Sequence, residues 1–245
     1  MPEYTYAVTG IVHPERSDVT ISKASASFGS DGEFGELSFS VLKSRIAGIF
    51  RLDKPLNNVK FSAHLIESSV RGITDTLCFT NGCGYDVEII QLIDLQTGAH
   101  QVFGVEDQVV ASLNVASRLP PERVADLHRT KFGRYLQRSF SDLREAVRIP
   151  QDSGFFCYRA VECLVHYFMF EHAGQKRKKS DAWVLLRDTL GVAEDEVRDI
   201  KSAADPQRHG NVIENPDVSR HVVMKNAWGV VEKFVVYALN CSKQY

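Results

Sequence analysis

The sequence predicts an α+β chain. An N-terminal antiparallel β-sandwich or partial barrel over residues 1–117 is followed by an all-α helical bundle over residues 118–245. The first observation behind this is a change of period. Short runs rich in aromatic and β-branched residues fill about the first 115 positions, whereas apolar residues recur at helical spacing after Leu119-Pro120-Pro121. The second is charge. Residues 1–118 hold 9 Lys/Arg against 14 Asp/Glu, and the remainder holds 20 against 17. The C-terminal half is therefore the better partner for an anion, by a mild margin.

The strands follow from composition and turn chemistry. Tyr4–Val12 is rich in aromatic and β-branched residues, and Val19-Thr20-Ile21-Ser22 alternates apolar with polar. Leu37–Leu42, Ile46–Leu52, Val59–Ile66, Asp86–Asp94 and His100–Val105 complete the set. Ser30-Asp31-Gly32, Lys54–Asn58, Asn81-Gly82-Cys83-Gly84 and Gln96-Thr97-Gly98 supply the turns between them. Short strands at such spacing suit a sandwich or partly closed barrel.

Five helices are expected in the second half. Pro121 suits a first helical turn, and that helix runs to about Arg148, where Pro150 ends it. The next covers Ser153 to Ala173, with Asp152 or Ser153 as N-cap and Gly174 as the stop. Gln175 to Lys179 forms an exposed link to a helix capped by Ser180 or Asp181 that ends at Gly191. Glu194–Ala204 makes the fourth. The last runs from Pro216 to Leu239, and its apolar set is wider than one bundle face needs, so part of it is expected to bury against a second copy.

Composition narrows the function classes. Apolar content of 44% and charged content of 24% in 245 residues describe an ordinary globular chain. The start Met1-Pro2-Glu3-Tyr4 has no basic n-region or apolar h-region, and the apolar run Phe155–Phe170 is interrupted by Arg159, Glu162 and His166. Five cysteines without a CxxC pair suit reduced thiols. A cytoplasmic protein without a membrane span is expected. No zinc pattern, P-loop, GxGxxG or GxSxG is present, so neither metal nor cofactor is expected.

The candidate site residues lie in the helical half. Asp205-Pro206-Gln207-Arg208-His209-Gly210-Asn211 places a cation beside a histidine, the side chain that changes charge nearest neutral pH. A plain helix terminus, with cations facing the negative end of the dipole and Gly beyond, explains the same letters. Arg159, Glu162 and His166 fall at i, i+3 and i+7 of the second helix, on one face. Either this stripe forms the floor of a site facing Arg208 and His209, or Arg159 and Glu162 pair to order the bundle. Lys176, Arg177, Lys178 and Lys179 read as a solvated linker or as phosphate contacts, and Arg134 and Arg138 extend a basic face.

Tyr158–Leu164 on an apolar helix, Arg208-His209-Gly210 at a later helix end and a long final helix containing Trp228 together resemble the HEPN superfamily of helical domains. The likeness spans roughly residues 120–243, and a β-rich module ahead of it is similar to the Apea-like members. That resemblance implies a metal-independent endoribonuclease or an RNA-binding effector of prokaryotic stress or defence, working as a homodimer. His209 carries over as the acid or base. The usual motif has an Arg upstream, where this sequence has Ser202, Ala203 and Ala204, so Arg208 or Arg159 would supply the phosphate-holding cation and Glu162 would complete the set. The alternative is a non-catalytic dimerisation or interaction protein with a degenerate motif.

Overall fold

A computed structural model describes residues 4–30, 33–56, 59–104, 107–209 and 219–242. The chain divides into two compact units, Met1–Gly104 and Val105–Tyr245.

The first unit is one open antiparallel sheet with a helix laid on it. Its strands are β1 (Tyr4–His13), β2 (Ile21–Ser30), β3 (Glu33–Leu42) and β4 (Arg45–Leu52), followed after helix α1 (Val59–Asn81) by β5 (Asp86–Asp94) and β6 (His100–Val102). Their spatial order is β2-β3-β4-β1-β5-β6. The expected sandwich or barrel is corrected here, because the second layer is α1 and the described strands leave the sheet unclosed. Alternation along β1 buries Tyr6, Val8 and Val12 with Leu37, Phe39, Val41, Phe50 and Ile89. A bulge between Thr9 and Gly10 breaks the β1–β5 register, and a Cβ at Gly10 would lie 2.4 Å from the Glu88 carbonyl.

Val59–Ile66, expected as a strand, is the start of α1. Val59, Phe61, Ala63 and Leu65 do alternate. Over a longer window Ala63, Ile66, Val70 and Thr74 recur at helical spacing, and all four are buried. Arg71 then ties the helix to the sheet, donating to Asp86 at 2.5 Å and to the Val87 carbonyl at 3.1 Å.

The second unit is helical. Short helices α2 (Gln108–Ser112), α3 (Val115–Arg118) and α4 (Pro121–Asp126) lead into α5 (Gly133–Arg148), α6 (Ser153–Phe170), α7 (Lys179–Leu190), α8 (Glu194–Arg208) and α9 (Arg220–Ser242). The division at Gly104 comes earlier than residue 117, because α2 packs against α9 and the Asp107 carboxylate pairs with Arg220 at 2.6 Å. The helix expected from Pro121 to Arg148 is broken into α4 and α5 by a 3-10 turn at Leu127–Arg129. Thr130 holds the break. Its hydroxyl donates to the Leu127 carbonyl at 2.7 Å and accepts from the Phe132 N–H at 3.2 Å. Gly133 then passes so close to His128 that a Cβ would sit 2.2 Å from its carbonyl oxygen.

Helix α6 lies at the centre, packed against α5, α7, α8 and α9. Phe132, Tyr167, Phe168 and Phe234 fill the space between α5, α6 and α9, with the Tyr167 and Phe234 rings 5.4 Å apart. On α9, Val223, Met224, Val230 and Phe234 are buried within this unit, whereas Val222 is exposed.

Gly133→Ala is expected to destabilise the helical unit by about 1–3 kcal/mol, since the methyl group meets main chain that cannot yield. Gly72→Ala, on α1 with open space around the new Cβ, should instead stabilise by up to about 1 kcal/mol. Urea unfolding of both variants against the parent checks the pair.

Candidate nucleic-acid interface

The corner where α6, α7 and α8 meet is organised by Tyr158. Its ring is stacked near Trp183 of α7, with centroids 6.1 Å apart, and the Arg208 guanidinium lies 4.9 Å from the ring centroid. The phenol donates to Glu162 Oε1 at 3.2 Å, one turn along α6. The same oxygen accepts from Lys179 Nζ at 2.5 Å, at the first turn of α7. Burial, and then the Glu162 carboxylate, push the Tyr158 phenol up to about 12, so it remains a hydrogen-bond donor at neutral pH. Arg208 is 35% exposed at its side chain and pairs with Asp205 at 3.2 Å. His209 follows at the end of α8, exposed to solvent.

The polar stripe on α6 does not act as one unit. Arg159 turns to α5, where it donates to Asp142 Oδ1 at 2.5 Å and rests beside the Phe155 and Phe156 rings. Asp142 is 2% exposed at its side chain, and Arg138 approaches its other oxygen at 3.4 Å. Of the two alternatives for the stripe, the Arg159–Glu162 pair gives way to Arg159–Asp142, because the two residues meet different neighbouring helices. Arg159 is thus paired with a buried carboxylate of α5. His166 is exposed, edge-on to Phe170 at 6.0 Å.

The basic run also divides. Arg177 folds back on the end of α6, donating to the His172 carbonyl at 2.9 Å and the Gln175 carbonyl at 3.2 Å. Lys176 and Lys178 are exposed between α6 and α7, and Lys179 belongs to α7 itself. The structure therefore gathers Glu162, Lys179 and Arg208 around Tyr158, with His209 following Arg208, and uses Arg159 and Arg177 elsewhere. Gly210 and Asn211 lie outside the described residues.

Sequence reasoning missed two partners. Asp142 carries a signal only in hindsight, as an acid four residues after Arg138 on the face of α5 that also buries Ser139 and Leu143. Asp107 and Arg220 are 113 residues apart, and nothing local links them. Arg220 there donates also to Ser153 Oγ at 2.8 Å and to the Ala146 carbonyl at 3.3 Å, joining α2, α5, α6 and α9. Burial alone would raise the Asp107 carboxyl, but the Arg220 bond and the Val109 and Val110 N–H groups outweigh it and hold it below the usual carboxylate range. Among the described residues, no group of three or more His, Cys, Asp or Glu is placed to hold a metal ion, and no helix is long and apolar enough to cross a membrane.

A sheet-and-helix unit followed by a helical unit defines a two-domain α+β protein. Residues 6–103 match the family model for the N-terminal domain of DUF8168, a domain of unknown function, and residues 122–239 match the model for its C-terminal domain. The chain thus carries both DUF8168 domains, in order, over most of its length. No curated protein matches it. No solved structure does either.

The Asp107 junction gives a pH dependence. A carboxyl held low by folding contributes stability that is fully present above the unfolded value of about 3.9 and is lost as pH falls through the lower folded value. Asp107→Asn should destabilise the helical unit at neutral pH and flatten its loss of stability below about pH 4. Denaturant unfolding at a series of pH values reads both effects.

Proposed function

We propose that the helical domain is RNA-directed, holding the sugar–phosphate backbone at the α6–α7–α8 corner. The observation that supports this is the linkage through Tyr158, which brings Arg208 and Lys179 from separate helices to one place beside the exposed Lys176, Lys178 and His209. Arg208 and Lys179 are the phosphate contacts in this reading, and the exposed lysines add attraction without reading sequence. In this reading His209 takes a proton from an attacking 2′-hydroxyl or returns one to the leaving oxygen. The resemblance of these motifs to HEPN domains supports a metal-independent endoribonuclease built on the same residues, with the cleft completed by a second copy.

A second reading, a non-catalytic dimerisation or interaction module, draws on a specific observation. Glu162 and Asp205 already neutralise Lys179 and Arg208, which weakens the corner as an anion site. Salt dependence separates the two. For labelled single-stranded RNA followed by fluorescence anisotropy, each cation that meets a phosphate contributes about 0.7 to the slope of log affinity against log salt. Arg208→Ala and Lys179→Ala should each lower that slope by roughly this amount. An affinity indifferent to salt and to both substitutions favours the interaction module.

Cleavage is tested at His209. His209→Ala should lower the rate of RNA cleavage about 100-fold while leaving affinity unchanged. Products ending in a 2′,3′-cyclic phosphate, formed equally in EDTA, are expected from a 2′-hydroxyl attack. Binding without cleavage would leave an RNA-binding effector.

A further inference from the structure

The end of α1 holds two cysteines that the RNA-directed reading does not use. Gly82 takes φ +64 just beyond the helix, and the Cys83 N–H donates to the Cys78 carbonyl at 3.1 Å. This is the hydrogen-bond pattern of a Schellman cap, in which the side chain just past the left-handed residue packs on the side chain five positions earlier. Cys78 and Cys83 occupy those two positions. A direct hydrogen bond joins their main chains, and a disulfide requires α-carbons roughly 4.4–6.8 Å apart.

The thiols differ in their hydrogen bonding. Cys78 Sγ accepts the Tyr85 N–H at 3.1 Å. Cys83 Sγ donates to the Leu77 carbonyl at 3.8 Å and also meets the Tyr85 side chain. Both are half-buried. By contrast Cys157 is enclosed in the helical unit, where burial pushes its thiol up to about 12, and burial raises Cys163 to about 11. Those two are poor nucleophiles.

We propose that Cys78 and Cys83 form a reversible disulfide that locks the C-terminal cap of α1, with a small disulfide such as oxidised glutathione as the oxidant. The Cys78 thiolate attacks one glutathione sulfur, forming a mixed disulfide and releasing one glutathione thiolate. Cys83 then attacks the Cys78 sulfur and expels the second glutathione. The protein pair loses two electrons, the glutathione disulfide gains them, and both thiol protons end on the two glutathiones.

The test incubates the full chain with oxidised glutathione and counts thiols in denaturant. The five cysteines should fall to three, with an intact mass two hydrogens lighter. Cleavage after Phe79 separates Cys78 from Cys83 in sequence, so under non-reducing conditions the two pieces should stay joined. Cys83→Ser should stop at a glutathione adduct on Cys78, and Cys78→Ser at an adduct on Cys83. Should either serine variant fail to fold, the peptide map of the parent chain decides alone. A parent chain that keeps five thiols, accumulates the mixed disulfide, or joins any other pair of cysteines overturns the proposal. RNA binding plays no part in these readouts, so the two ideas stand or fall separately.

Discussion

Helix α6 is packed against four other helices, and most of its length is shut away from water. A polar group on such a helix has to be paired inside the bundle or held at its margin, because an uncompensated buried charge costs about 3–5 kcal/mol. The rest of the helical unit is arranged around that demand. Asp142 is buried on α5 and takes Arg159. Glu162 takes the Tyr158 phenol and the Lys179 ammonium. Ser153, at the first turn, stands between the Ala146 carbonyl and Arg220. Each pairing fixes a neighbouring helix against α6 at one depth and one rotation.

The candidate corner is a by-product of the same requirement. Tyr158 is a large ring at the margin of a buried face, and its hydroxyl needs an acceptor. Glu162 supplies it, and a buried-edge carboxylate in turn draws Lys179 from α7. The ring face left over receives Arg208. Packing alone therefore brings two cations together beside His209, each already paired with a carboxylate, Glu162 or Asp205.

Much of the fold was legible because its periods are long and clean. Asp86–Asp94 and Leu190-Gly191 fall where alternation and a left-handed glycine place them. The strand read at Val59–Ile66 failed because eight residues can satisfy two periods at once, and only Val70 and Thr74 beyond them break the tie. The broken helix before Gly133 failed for another reason. Thr130 and the close pass of Gly133 over His128 act within five residues, but a single Thr or Gly does not by itself mark a break in a helical pattern. The site was legible as residue types and not as partners. Glu162, Arg208 and His209 stood out, but whether Arg159 faces α5 or α8 depends on a rotation of α6 that the buried Asp142 sets from 17 residues away.

The sheet order sets a schedule for synthesis. Strand β1 is central, yet its neighbours are β4 and β5, paired through contacts such as Tyr4 with Leu52 and Val12 with Val87. At about 5–20 residues per second, β1 leaves the ribosome several seconds before β5 exists to meet it. Until then the β2–β3–β4 meander can form with β1 at its margin, offering an unpaired edge. A nascent chain halted before β5 is thus the species most exposed to association with other chains, and the unit closes only when its fifth strand arrives.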